Sequence, residues 1–320
     1  MKKILVTGGA GYIGSACVKA LLDEGNEVVV FDNFSTGQRD KIDERAEIYT
    51  GDLNNLSDLN SVCQKYKFDA VMHFAAKKAV GESEEDPSLY FANNVVGSFN
   101  LLKTMEEFSI PQIVFSSTSA VYAPAISNIP VTENHNLSPI SVYGTTKLMV
   151  EDMIKVYVRT GKIRRFSILR YFNVAGDTGL NYLDEKAQNV FPIIANKLRG
   201  DEAFEIFGTD YETRDGTCIR DYIHLQDLID GHMKALESEK NGIYNLGTST
   251  GYSVRELVDI FNQVSGKEIR VKESPRRQGD LPVMMADVAL AKTELNWQAK
   301  YTLKDMVEDT LRVYGQRCFS

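Results

Sequence analysis

Six short runs rich in apolar and β-branched residues punctuate the first half of the chain: KILVTGG from Lys3, EVVVFD from Glu27, AEIYTGD from Ala46, DAVMHFAA from Asp69, QIVFSST from Gln112 and RFSILRYFN from Arg165. Stretches with helical periodicity separate them. Strands apolar on both faces need cover on both faces, and intervening helices supply it, so the pattern predicts a doubly wound parallel sheet in an α/β fold. After about residue 175 the rhythm breaks. NVFPIIANKLRG, AFEIFG and RDYIHLQDLIDGHMKALE mix short strands with helices. Ser253-Val-Arg-Glu256 and Thr302-Leu-Lys-Asp305 each set a hydroxyl at a helix N-cap with an acid three residues on, where exposed N–H groups need acceptors. The expected organisation is a domain over 1–175 and a smaller α/β lobe over 176–320. Segments near 219–247 are expected to return to the first domain, with the two sharing one cleft.

Length and charge limit the function classes. A chain of 320 residues is ample for a sizeable core. Its net charge of −8 and its 36 scattered Lys and Arg disfavour a nucleic-acid partner. Glycines cut the short apolar run at the N-terminus after Val6, which argues against a signal peptide, and no window reaches the roughly 18 apolar residues of a membrane span. Cys17, Cys63, Cys218 and Cys318 are far apart and lack metal-ligand spacing, and the four histidines do not cluster with them. Reduced thiols in a soluble cytoplasmic enzyme, with no metal, are expected.

TGGAGYIG, Thr7 to Gly14, follows the first strand and opens a helix. Gly8 and Gly11 permit a tight turn and close approach to a pyrophosphate. Gly14 permits close helix packing, and the helix N-terminus offers free N–H groups. Asp32 ends the second strand, where a carboxylate accepts from the adenine-ribose hydroxyls and repels a 2′-phosphate; no arginine follows before Arg39. This is a Rossmann-type site for NAD rather than NADP.

In SVYGTTKLMVED, Tyr143 and Lys147 stand four residues apart at the start of an amphipathic helix. Positions i and i+4 share a helix face, so the ammonium stabilises the phenolate over the phenol and tunes it toward a general base near neutral pH.

The glycine spacing, together with GDL at Gly51 to Leu53, HFAAKKAVGES from His73 and NNVVGS from Asn93, resembles the extended branch of the short-chain dehydrogenase/reductase superfamily. RYFNVAG, NVFP, EIFGTDYETRDGTCIRDYIHLQDLIDGH and RRQGDLPVMMAD narrow that likeness to its UDP-glucose 4-epimerase family. The resemblance implies a third catalytic member at Thr118, where relatives more often carry serine. Beyond the residues already named, it implies cofactor contacts from Tyr12, Ile13, Asn33, Phe34, Ser35, Thr36, Gly37, Asp52, Leu53, Phe74, Ala75, Ala76, Lys78, Asn93 and Phe172. For the UDP-sugar it implies Lys78, Thr118, Tyr143, Asn173, Asn189, Val190, Phe207, Arg220, Arg277, Asp280 and Met284. An arginine fork suits phosphate oxygens, and Asp280 can accept from ribose hydroxyls.

The implied reaction inverts C4 of UDP-galactose and UDP-glucose through a 4-keto sugar and enzyme-bound NADH. The implied assembly is a homodimer through helices that carry Leu101, Leu102, Met149 and Met153. A 4,6-dehydratase would need acids directly after Thr118, but Ser119 and Ala120 follow it. A non-catalytic NAD-binding regulator would usually lack the tyrosine or the lysine. UDP-N-acetylglucosamine is the alternative substrate.

Overall fold

The computed structural model describes residues 1–124, 129–183, 189–277 and 280–315. Its strands and helices run in the order β1 (Lys3–Thr7), α1 (Tyr12–Asp23), β2 (Glu27–Asp32), β3 (Glu47–Thr50), α2 (Leu56–Lys65), β4 (Ala70–His73), α3 (Val80–Glu85) and α4 (Pro87–Tyr90). A π-helical turn over Phe91–Val96 leads into α5 (Gly97–Glu107), then β5 (Gln112–Ser116), a 3₁₀ turn (Ser119–Val121), α6 (Val142–Arg159) and β6 (Arg165–Tyr171). There follow β7 (Asn173–Ala175), α7 (Val190–Gly200), β8 (Phe204–Phe207), β9 (Ile219–His224), α8 (Leu225–Glu237) and β10 (Gly242–Leu246). The chain ends with β11 (Gly251–Ser253), α9 (Val254–Ser265), β12 (Val271–Ser274), β13 (Val283–Met284), α10 (Ala289–Glu294) and α11 (Leu303–Gly315).

The chain divides into two compact units. The first comprises 1–123, 136–170 and 229–244; the second comprises 124–135, 171–228 and 245–320. In the first, a sheet of order β10-β6-β5-β4-β1-β2-β3 has β1 to β6 mutually parallel. This is the doubly wound fold predicted from the apolar runs. Consecutive parallel strands need crossovers, so all six C-terminal strand ends lie at one edge, and the order reverses at β1, between β2 and β4. The inner strands β1, β4 and β5 are buried almost throughout, while β3, at the sheet edge, is mostly exposed.

The second unit holds a sheet of order β11-β9-β13, with β7 also paired to β9, and a two-stranded β12-β8 ladder. Phe191, Ile206, Tyr222, Phe261 and Met306 form its core. Ser253 and Glu256 make the reciprocal capping box expected at the start of α9, and Thr302 and Asp305 make the same exchange before α11.

One expectation needs correcting. Leu101 and Leu102, named for a subunit contact, are core residues of the first unit, and Met153 packs partly against that core. Both faces of α5 and α6 read as apolar in sequence, and the sheet claims one of them. The large apolar side chains left exposed here are Phe91, Val96, Phe99, Met149 and Val156. Cys17, Cys63 and Cys218 are buried free thiols, and Cys318 lies outside the described residues. Among the described residues no helix is long and apolar enough to cross a membrane, and no cluster of ligating side chains could hold a metal.

Candidate active site

At the end of β1 the chain turns from Thr7 through Gly8 to Gly11 and enters α1. A Cβ on Gly8, whose φ is +73°, would lie 2.5 Å from Ala75 N, and one on Gly14 would lie 2.1 Å from Gly8 O. Backbone therefore meets backbone, and only glycine fits. The turn, the end of β2 and the segment after β4 line one concavity. Of the expected cofactor residues, Gly8, Gly11, Asp32, Asn33, Ser35, Thr36 and Gly37 border it. So do Asp52, Leu53, Phe74, Ala75, Ala76 and Asn93. Glycine backbone at Gly8 and Gly11 beside a helix N-terminus fits the pyrophosphate of a dinucleotide.

Asp32 is buried, with one carboxylate oxygen accepting from Ala10 N at 3.0 Å and the other from Phe34 N at 2.8 Å. Lone pairs remain on both oxygens for ribose hydroxyls. At Asp52 burial opposes ionisation, but hydrogen bonds from Asn33 and Asn54 outweigh it and hold the carboxyl below its usual range.

Other expected cofactor residues stand outside this lining. Tyr12, Ile13 and Gly14 form the first turn of α1. Phe34 has a left-handed backbone, with the Arg39 guanidinium 4.8 Å over its ring. Lys78 is exposed. Phe172 is a buried residue of the second unit, where its N–H donates to Leu246 O at 3.3 Å. Gly51, which opens the GDL motif, lines the concavity as well, and so do Phe31 and Lys77, to which the sequence reading gave no cofactor role. Gly51 is required there because a Cβ would meet the Phe31 ring at 2.6 Å.

The tyrosine and lysine lie one turn apart on α6, both buried. Ser141 caps that helix, accepting from Gly144 N, and Tyr143 N donates to Ser83 Oγ at 3.2 Å. A Cβ on Gly144 would lie 2.3 Å from Ala120 O, so the start of α6 rests directly on the 3₁₀ turn that follows Thr118. Thr118 caps that turn, its Oγ1 accepting from Ala120 N at 3.2 Å. Lys147 Nζ donates to Ser116 O at 2.8 Å and lies 4.8 Å over the Phe115 ring. Burial pushes the Lys147 ammonium down to about 7, against the opposing pull of the Glu151 carboxylate. The lysine is thus a cation that neutral pH only partly protonates until an anionic neighbour, such as a phenolate, favours its charge.

A buried polar chain supports this region. Ser98 Oγ donates to Asn94 O at 2.5 Å, so its lone pairs accept from His73 Nε2 at 2.8 Å, and Thr7 Oγ1 donates to His73 Nδ1 at 2.7 Å. Burial, with the Lys147 charge adding to it, pushes the His73 imidazolium down to about 3 and keeps the ring neutral. Asn94, in the π-helical turn, clamps both backbone groups of Lys77 at 2.8 and 3.0 Å and donates to Thr146 Oγ1 at 3.1 Å.

The residues expected at UDP belong to the second unit. Asn173 on β7 donates to Asp221 O at 3.1 Å, and Asn189, the N-cap of α7 just before Val190, donates to Val174 O at 2.6 Å. Arg220 on β9 reaches Leu281 O at 2.7 Å and Asp280 Oδ1 at 3.3 Å, and Met284 on β13 is its register partner. Asn173, Arg220, Asp280 and Met284 thus surround β9. Arg277 forms a separate pair, its guanidinium 3.7 Å over the Phe207 ring.

The first unit thus carries a concavity suited to a dinucleotide and, on α6, a buried tyrosine–lysine pair. The chain belongs to the NAD dependent epimerase/dehydratase family, which it matches over residues 4–247. It is 42% identical to the UDP-glucose 4-epimerase of Bacillus subtilis (strain 168) across 97% of this chain and 96% of that one. Its fold superposes on a crystal structure of UDP-glucose 4-epimerase with a TM-score of 0.95 at 40% identity, covering 99% and 98% of the two chains. A UDP-glucose 4-epimerase from Bifidobacterium longum in complex with NAD+ and UDP gives 0.91 at 33% identity, covering 99% of each chain.

Replacing Asp32 with alanine should lower the NAD retained through gel filtration and relax the preference for NAD over NADP. Unchanged cofactor content and selectivity in Asp32→Ala would remove this residue from cofactor recognition.

Proposed function

We propose that the protein interconverts UDP-galactose and UDP-glucose by inverting C4 through a transient 4-keto sugar. The observation that carries the reading is the intact group: Tyr143 and Lys147 on one buried helix face, with Thr118 capping the 3₁₀ turn on which the start of that helix rests. The likeness to UDP-glucose 4-epimerases along nearly the whole chain supports the substrate class.

NAD, held by Asp32 and the Gly8–Gly11 turn, would supply reversible hydride acceptance at the sugar C4. Tyr143, as phenolate, takes the proton of the 4-hydroxyl and later gives it back, and Lys147 stabilises the phenolate. Thr118 donates a hydrogen bond to the same sugar oxygen. Asn173, Asn189, Val190, Phe207, Arg220, Arg277 and Asp280 hold the uridine and diphosphate, so the hexose can turn its other face while the nucleotide stays anchored. No acidic pair follows Thr118 to eliminate water, which separates this chemistry from dehydration.

Three buried free thiols suit a reducing compartment, and we read the activity as cytoplasmic and belonging to galactose metabolism. We read the assembly as a homodimer whose contact uses the exposed Val96, Phe99, Met149 and Val156 of neighbouring helices. Light scattering at micromolar concentration should give twice the mass of the chain; a monomer would overturn this.

Tyr143→Phe should lower turnover by on the order of 10² or more while UDP still binds. Near-wild-type turnover, measured in a coupled assay, would exclude the phenol as the base.

Met284, buried on β13 beside Arg220, sets which sugars enter. A flexible thioether of intermediate size favours the plain hexoses and slows N-acetylated ones. Met284→Ser should raise the rate on UDP-N-acetylglucosamine relative to UDP-glucose, and Met284→Tyr should abolish it. A ratio unmoved by both substitutions would place specificity elsewhere.

A further inference from the structure

Tyr143, Lys147 and Glu151 follow one another at four-residue intervals on α6, so the carboxylate of Glu151 lies on the candidate catalytic face, one turn beyond the lysine. Glu151 is fully buried, and so is its partner, Arg170 at the end of β6. The carboxylate is saturated. Arg170 Nε donates to Oε1 at 2.9 Å, Arg170 Nη2 donates to Oε2 at 2.5 Å, and Ser117 Oγ donates to Oε1 at 2.5 Å. The guanidinium also donates to the Tyr122 hydroxyl at 3.2 Å and lies 5.0 Å over the Tyr122 ring.

Stability gives this arrangement little reason to exist. Burying two charges carries a large desolvation penalty, and well-packed apolar side chains of equal volume usually stabilise as well or better. What the pair does uniquely is connect. Ser117 stands between Ser116, whose carbonyl holds Lys147, and Thr118, the candidate substrate donor. Its backbone N–H donates to Leu169 O at 2.8 Å, next to Arg170. One carboxylate therefore ties α6 to Ser117, the residue between Ser116 and Thr118, and to the end of β6.

We propose that Glu151, clamped by Arg170, is a positioning residue that holds the segment after β5, through Ser117, against the Tyr143/Lys147 face and places a negative charge one helical turn from Lys147, where it favours the ammonium. The inference rests on the function read above for Tyr143 and Lys147. Other charged or titratable groups near the lysine cannot take over this role. His73 from β4 is held neutral, Arg170 is a cation, the Tyr122 phenol is bound to that cation, and His232 from α8 faces the Ser116 hydroxyl at 2.9 Å. Lys155, one turn further along α6, approaches Glu151 at 3.9 Å from a half-exposed position.

The test separates positioning from packing. In Glu151→Gln the amide still accepts from Ser117, but the charge is gone. In NAD-loaded enzyme kcat should fall on the order of tenfold, with KM for the UDP-sugar within about twofold, because the nucleotide contacts lie elsewhere. A readout independent of turnover is the ¹³Cε lysine resonance that Lys147→Arg removes. Its titration midpoint should fall by about one pH unit in Glu151→Gln, since losing an adjacent anion disfavours the ammonium.

If Glu151→Gln does not fold, the double variant Glu151→Leu/Arg170→Met removes both charges with apolar replacements. There kcat should fall as well, because the bond from α6 to Ser117 is lost together with the pair. A variant that melts earlier yet keeps the wild-type midpoint and kcat would make the pair merely structural and overturn the proposal. Wild-type protein inactive on every UDP-sugar would instead overturn the proposed function, while the lysine titration would still report on Glu151.

Discussion

The first unit is organised by a contact between backbones. Gly8 approaches Ala75 closely enough that a methyl group would reach 2.5 Å from its nitrogen, and Gly14 approaches the Gly8 carbonyl more closely still. Helix α1, the end of β1 and the segment after β4 are therefore locked together at the point where the strand order reverses. Every larger side chain at Gly8 or Gly14 would have to push one element away. Parallel pairing brings the ends of β2 and β5 to the same edge, so Asp32 and the Ser116–Thr118 segment inherit their positions from this contact. His73 completes the lock, since its two ring nitrogens join Thr7 on β1 to Ser98 on α5.

Three charged side chains buried in this interior are each anchored by hydrogen bonds. Lys147 has the Ser116 carbonyl and a ring face, Glu151 has Arg170 and Ser117, and Asp32 has two backbone N–H groups. In the second unit Asp221 follows the same rule. Burial pushes its carboxyl upward, yet it accepts from Thr248, Ser249 and Ala286 and so holds the 248–249 loop and the end of β13 near Arg220. Such groups are rigid because releasing any one of them would strand a polar atom without water.

What could be read from sequence follows from range. Buried parallel strands announce themselves locally, because both faces are apolar, and β1, β2, β4, β5 and β6 were legible as runs. The helix starts at Ser253 and Thr302 were legible because a capping box spans four residues. The glycine turn with Asp32, and Tyr143 with Lys147, were legible because one strand-turn-helix or one helix face holds their parts. Three-residue strands such as β7 and β11 leave too little pattern to recognise. The dimer-facing assignment of Leu101 and Leu102 failed because helix periodicity gives faces without saying which one the sheet takes. Glu151 was passed over although it continues the Tyr143–Lys147 spacing, because its meaning depends on Arg170, 19 residues later and on another element.

The candidate catalytic side chains share one further property: each is anchored through atoms its chemistry would not use. Thr118 accepts from Ala120 N with a lone pair, so that anchoring bond leaves its hydroxyl proton free to point at a substrate oxygen. Lys147 spends one of three ammonium protons on the Ser116 carbonyl, and in the proposed mechanism the other two would serve a cofactor hydroxyl and the phenolate. Tyr143 is held by its backbone N–H on Ser83 and by the neighbouring Gly144 packed on Ala120. A threonine in place of the commoner serine is tolerable on the same ground, because the extra methyl group leaves both the accepting lone pair and the donating proton in place. In the mechanism proposed above, precision at the reacting atoms would come from bonds that need not break during turnover, and such preorganisation lets a proton move with little rearrangement of its surroundings.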